Sequence, residues 1–455
     1  MDYKEKYFKY KNKYLNLQKY YLQLMRGGNI PNDNDKLIDC YIASSHNTYL
    51  VDNQLTGSAD INCYLNFIKK YGGGCVEMDI VKMEKNDGKK YKEQLDKNDV
   101  YIKHTGLPTG GLFLRDILLG IKNIIISQTM HGPVILSFDN KDIKSYENHQ
   151  IIWSIFKDTL GDILYDKFDD ANLFIKDIKG KVLIKWPEDH KCKCTELKCE
   201  ICTGKHLFKP KDVKTSHWTH LTHHSGPNKT FSYSHKSHDK KESTKKSTKA
   251  SNEESTEEST EESKDKPPYD KKITNKYFIR IYPPGGNVLS GNYSFIKYIE
   301  DGAQLVALNI QTQDRHTMFQ MEFFRNGCLR KKPQWLINQT SEIPTKKYDV
   351  TIPGASNINI YKDDIDDKID IKSEGNKFII DVKDGLEIIF IKLDYDKKNY
   401  KGVISLNEKI NKLYVLKYKT NTCDWFTKTE LDKLDSIKFE STFGTNNNIT
   451  MTPQK

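Results

Sequence analysis

No apolar run of roughly 18 residues, the length a helix needs to cross a bilayer, occurs in the 455 residues. The first stretch, MDYKEKYFKYKNKYL, is charged throughout, so no secretory leader is expected either. Apolar residues are scarce: 36% are hydrophobic against 29% charged, too few for one uniformly packed chain of this length. Part of it must lie outside any core. Cysteine is sparse and uneven. Nine are present, and Cys40, Cys63, Cys75, Cys328 and Cys423 stand alone. This predicts free thiols in a reducing, intracellular compartment rather than a disulfide framework. Charge of one sign is in excess, 72 Lys and Arg against 62 Asp and Glu for a net +10. Such a balance favours an anionic partner: nucleic acid, a lipid headgroup or a phosphorylated substrate.

The length suits two or three folding units of ~150 residues each. Residues 1–28 read as an amphipathic basic helix, with Tyr3, Tyr7, Tyr10, Tyr14, Leu17, Tyr21 and Leu24 on one face, lysines on the other, and Gly27-Gly28 as the stop. Docking on its own domain, pairing with another helix and lying on an anionic membrane all suit such a face. Over 36–187, apolar strands (LIDCYIAS, CVEMDIV, VYIKH, PVILSFD, KVLIKW) alternate with helical periodicity around 113–126 and 149–160. That alternation predicts parallel pairing, in a (β/α) barrel or a doubly wound sheet. Residues 188–270 are almost without aliphatics and end in KKESTKKSTKASNEESTEESTEESKDK, a low-complexity linker by composition. The strand texture resumes over 271–338 with YFIRIYP and AQLVALNIQT, so one domain is expected to be split by an insertion. Short β-branched runs over 339–455 predict an antiparallel β-sandwich.

Chemistry-bearing residues gather at the predicted strand ends. His46 and Asn47 follow the first strand, Glu77 and Asp79 stand two apart on the second, His104 ends the third and Asp139 the fourth. Strand alternation puts Glu77 and Asp79 on one face, able to share a cation. An amide oxygen with three carboxylates is a hard, all-oxygen donor set that favours calcium or magnesium. Two histidines beside it supply acid/base chemistry near neutral pH.

In order, SSHNTYL, GCVEMDI, His104 with LFLRDIL, VILSFDN and KGKVLIK resemble the X region of eukaryotic-type phosphoinositide-specific phospholipase C. IRIYPPGGNVLSGNYSFIKYIEDGAQLVALNIQT resembles its Y region. The resemblance implies a TIM-like barrel interrupted by a linker, and cleavage of inositol phospholipids to diacylglycerol and an inositol phosphate. It implies calcium on Asn47, Glu77, Asp79 and Asp139, a carboxylate such as Glu77 taking the hydroxyl proton, His46 donating to the phosphate and His104 protonating the leaving oxygen. It also implies that Lys185 and Arg280 bind ring phosphates and that Tyr282 stacks on the ring. Asp139 stands where the family has Glu, Pro187 where a second lysine is expected, and a phosphate-binding serine ahead of Arg280 has no clear counterpart. On the apolar rim Leu55 and Leu107 are kept, whereas Gly286 replaces a tryptophan.

LEIIFIKLDYDKKNYKGVISL, with Asp394 and Asp396, resembles later strands of a C2 sandwich; a purely structural sandwich is the alternative. With fewer than forty residues ahead of the barrel, no PH domain or EF-hand is expected. Cys192, Cys194, Cys199 and Cys202, close together in CKCTELKCEIC, suit either a tetrahedral zinc site or four reduced thiols. No basic segment has a nucleic-acid-binding pattern, so the positive charge is assigned to an anionic membrane and its phosphoinositide, met peripherally from the cytoplasm. Two readings compete: a glycerophosphodiester phosphodiesterase, and a catalytically weak inositide- or membrane-binding protein.

Overall fold

The computed structural model describes residues 30–51, 56–82, 100–104, 109–140, 146–165, 173–185, 230–234, 271–283, 291–312, 314–351, 355–361, 373–374, 377–395, 398–406, 410–412, 438–443 and 449–453. Residues 1–28, the cysteine cluster, the rim residues Leu55, Leu107 and Gly286, Asp396 and Cys423 lie outside them.

The chain enters through β1 (Cys40–Ile42) and β2 (Ser44–His46), then α1 (Ile61–Tyr71). Asp60 caps α1, its side chain accepting from Asn62 N–H, and Gly72 at φ 64° ends it in the left-handed region. Gly74, at φ 115°, then starts β3 (Gly74–Lys82); a Cβ there would stand 2.8 Å from the Ala43 carbonyl oxygen, so only glycine lets β3 lie this close to β2. β4 (Val100–Lys103) and β5 (Gly111–Phe113) lead into α2 (Leu114–Ser127), followed by β6 (Val134–Asn140), α3 (Tyr146–Leu160) and β7 (Val182–Lys185). After the insertion come β8 (Thr230–Ser234), β9 (Phe278–Tyr282), α4 (Phe295–Glu300), β10 (Leu305–Asn309), α5 (Arg315–Phe323) and β11 (Leu329–Lys331).

The parallel strands run β7-β6-β3-β2-β10-β9-β8 within a nine-stranded sheet. This is the parallel α/β arrangement expected, with two corrections. VYIKH is not a parallel strand: β4 pairs antiparallel with the far end of β3 (Ile80 with Ile102) and forms a hairpin with β5. β3 is long enough to overrun the barrel, and its free end recruits the hairpin. The expected linker 188–270 also contains β8, in parallel register with β9. TFSYS lacks the aliphatic run that marks the other strands.

Both halves close on one core. β10 from the second half pairs with β2 from the first, and β11 pairs antiparallel with β1. The fully buried Gln304 ties the floor together: its Oε1 accepts from Ile279 N–H at 2.9 Å and its Nε2 donates to the Ile38 and Thr274 carbonyls. On β3 the outward Val76, Met78 and Ile80 are buried under the helices, while Cys75, Glu77 and Asp79 face the other way. Cys40, Cys75 and Cys328 are buried free thiols, as expected; Cys63 is disulfide-bonded, which corrects the expectation for that residue.

From residue 345 the structure is antiparallel. β12 (Thr345–Thr351), β13 (Ala355–Tyr361), β14 (Ser373–Glu374), β15 (Lys377–Lys383), β16 (Ile388–Tyr395), β17 (Lys398–Ser405), β18 (Ile410–Lys412), β19 (Lys438–Phe443) and β20 (Ile449–Pro453) form three small sheets. The sheets meet the barrel through Phe390 against Phe319, the Trp335 Nε1 donation to the Asp384 carbonyl at 2.9 Å, and the Lys383–Glu300 ion pair at 2.6 Å.

Candidate active site

Parallel register carries one face of the sheet from strand to strand. Asn309 faces His46 across β10 and β2, Glu77 faces Ser137, which in turn faces Lys185, and Asp79 faces Asp139. His46, Asn309 and Lys185 end their strands and Asp79 and Asp139 lie in the C-terminal halves of theirs, toward the edge where parallel α/β folds place their sites. Arg280 and Tyr282, two apart on β9, complete the ring from the second half.

His46 is 8% exposed, and its Nδ1 lies 2.8 Å from Asn309 Oδ1. Asn309 Nδ2 donates to the Gly291 carbonyl, so its oxygen is the end turned to the imidazole and Nδ1 carries the proton. Nε2 is left 3.5 Å from Glu77 Oε2. Burial lowers the His46 pKa, opposed by the Glu77 carboxylate. Asn309 is itself held, its N–H donating to Asn292 Oδ1 at 2.7 Å while Asn292 Nδ2 reaches Asp314 at 3.0 Å.

Glu77 is the electrostatic hub. Its Oε2 accepts from Asn47 N–H at 2.8 Å and its Oε1 from Arg280 Nη2 at 2.6 Å. Burial works to raise its pKa, but Arg280, His46 and the Asn47 amide hold the carboxyl well below the usual range. Asn47 sits at φ 46°, a conformation Asn tolerates better than most residues, and its buried Nδ2 has no partner. Asp79 accepts from Tyr49 OH at 2.7 Å. Lys185 is 3% exposed; burial first, then Arg280, lowers its pKa to about 8. The Tyr282 ring stacks near His46 at 6.1 Å and lies 5.2 Å from the Arg280 guanidinium carbon. His104 follows β4, whose antiparallel course returns the chain toward Asp79.

Asn47, Glu77, Asp79 and Asp139 therefore share one end of the sheet, and as oxygen donors they fit a hard divalent cation in chemistry and register. As they stand, no three acidic, histidine or cysteine side chains converge on a single cation position among the described residues, and Glu77 is bound to Arg280 instead. Sequence reasoning missed Asn309, whose signal was only its place at the end of a predicted strand. The backbone of β8 runs in register with β9, position 232 opposite 280 and 234 opposite 282.

The family models for the X and Y domains of phosphatidylinositol-specific phospholipase C match residues 34–187 and 224–333, together more than half of the sequence. The second match begins ahead of β8, in agreement with the corrected boundary. The chain is 31% identical over 156 residues to 1-phosphatidylinositol 4,5-bisphosphate phosphodiesterase zeta-1 of Rattus norvegicus, covering 33% of this chain and 22% of the relative. It is 25% identical over 315 residues to the delta-1 phosphodiesterase of the same organism, covering 62% of this chain and 38% of the relative. The crystal structure of L. pealei PLC21 shares the fold at a TM-score of 0.56 and 18% identity, over 83% of this chain and 52% of that one. The chain thus spans about half or less of the length of these relatives.

Proposed function

The chain belongs to the phosphatidylinositol-specific phospholipase C family, and from that premise we propose that its barrel cleaves the phosphodiester of inositol phospholipids, releasing diacylglycerol and an inositol phosphate. One observation carries this reading: buried at one strand-end edge stand two cations, Lys185 and Arg280, beside the imidazole of His46 and the carboxylate of Glu77. Glu77 offsets the charge of Arg280, and burying Lys185 as a second cation beside that pair is costly unless a further anion is to be met there. A phosphorylated ring supplies that anion, and Tyr282 offers it a flat face.

In this reading His46 presents Nε2 to the phosphate and, when protonated there, donates to the oxygen on which charge builds. The Asn309 hydrogen bond holds the ring in that orientation. The inositol 2-hydroxyl attacks the phosphorus as a carboxylate of the Glu77 group takes its proton and His104 protonates the departing diacylglycerol oxygen; water then opens the cyclic phosphodiester so formed to the inositol phosphate. Calcium held by Asn47, Glu77, Asp79 and Asp139 would lower the pKa of the attacking hydroxyl and neutralise the phosphate. Asp139 reaches less far than the family's Glu by one methylene, and its register opposite Asp79 keeps it within the group.

The antiparallel sheets after residue 345 are read as a C2-like unit that steadies the barrel at an anionic membrane, and residues 1–28 as a helix that docks or lies on it. Zinc at Cys192, Cys194, Cys199 and Cys202 remains a separate proposal, resting on cysteine spacing alone. Among the described residues no helix is long and apolar enough to cross a membrane. The test is release of water-soluble inositol phosphate from mixed phosphoinositide vesicles. His46→Ala is expected to lower the rate by about 10²–10⁴-fold. Release by the wild type that His46→Ala leaves undiminished contradicts the reading.

A further inference from the structure

Arg280 occupies two positions that are in conflict. Its Nη2 is 2.6 Å from Glu77 Oε1, with the two side chains 4% and 6% exposed. Its Nε is buried without a partner, so the guanidinium is not saturated by the protein. Glu77 is also the central oxygen donor of the proposed cation group, flanked by Asn47 and facing the side of the sheet that carries Asp79 and Asp139. A divalent cation approaching Glu77 meets a carboxylate already neutralised and a positive group beside it. At low local dielectric that repulsion is large.

We propose that Arg280 is a latch on the cation site: without substrate it occupies Glu77 and keeps cation affinity low, and an anionic ring phosphate draws the guanidinium away and frees Glu77 for the cation. The inference rests on the calcium and inositide reading above and goes beyond it, since it makes a substrate-binding residue the competitor of the metal. Calcium and headgroup then strengthen each other's binding by one common factor, as linkage requires. Part of that linkage runs through Arg280 rather than through direct contact between metal and phosphate.

Calorimetric titration of calcium into the full chain, with and without inositol 1,4,5-trisphosphate, reads this directly without activity. In the wild type the headgroup is expected to tighten calcium by roughly fivefold or more, within the usual range of site coupling. Arg280→Met is expected to bind calcium roughly tenfold more tightly than the wild type when no headgroup is present, because a buried carboxylate loses the guanidinium paired with it. The headgroup effect should shrink in that variant. Arg280→Lys, which keeps the charge on a shorter and more mobile head, should fall between the two. The wild-type linkage needs no substitution, so a poorly folded variant leaves the test standing. Equal or weaker calcium binding in Arg280→Met, or a wild-type calcium affinity indifferent to the headgroup, overturns the latch while leaving the calcium reading intact. No calcium binding by any of the three proteins overturns both.

Discussion

His46 is fixed by a residue far away in sequence. Asn309 lies 263 positions on, yet its amide sets which imidazole nitrogen carries the proton, and Asn292 and Gly291 set the amide. Asn309→Leu is therefore expected to lower kcat by about 10- to 100-fold with KM little changed, because orientation matters most as charge develops. An equal fall in Asn309→Gln would argue against a specific orienting role, since Gln keeps the amide and should restore part of the rate. Lys185→Met is expected to act in the opposite manner, raising KM more than it lowers kcat, because a headgroup contact is made in ground and transition states alike. His46, Asn47, Glu77, Asp79, His104 and Asp139 stood out as a set from their places on or after apolar strands, and Lys185 through the family resemblance. The links between them did not. The Arg280–Glu77 pair spans 203 positions, and its existence depends on which strands become neighbours.

Strands and turns decide how close these side chains come. At Gly74 the missing Cβ allows β3 to pass the Ala43 carbonyl. Gly74→Ala combines a φ of 115° with a 2.8 Å clash and should destabilise the barrel by about 2 kcal/mol or more, read as a lowered denaturation midpoint. At the floor, burial lowers the Lys332 pKa to about 7, against the pull of Asp39. The unfolded chain holds that proton up to its ordinary value, so between about pH 7 and the thiol range near 8.5 the unfolded state binds more protons and stability rises with pH. Lys332→Met should flatten that rise and raise the midpoint at pH below 7. Thr274 O, which accepts from Lys332 at 2.8 Å, keeps its second donor from Gln304. A slope unchanged from wild type would contradict this account. The apolar strands were visible in the sequence from their periodicity. β4 was read with the wrong partner sense, because periodicity carries no direction, and β8 was missed because TFSYS is too polar to stand out beside a Lys- and Ser-rich run.

The described residues form one parallel-stranded α/β unit assembled from two separated pieces of sequence, with antiparallel sheets packed against it. The Lys- and Glu-rich segment at 241–265 divides β8 from β9, while β2–β10, β1–β11 and the buried Gln304 hold the halves together. Proteolysis within 241–265 is therefore expected to leave two fragments that co-elute on size exclusion and keep vesicle hydrolysis; fragments that separate in native buffer would contradict a shared core. The net +10 of the sequence agrees with approach to an anionic surface. The most direct test of the central claim is the identity of the products formed from phosphoinositide vesicles in calcium and in chelator. The account predicts diacylglycerol with cyclic and open inositol phosphate in calcium, and at least about a hundredfold less in chelator. Hydrolysis of glycerophosphodiesters in preference to inositides, or inositide cleavage undiminished by the chelator, would contradict it.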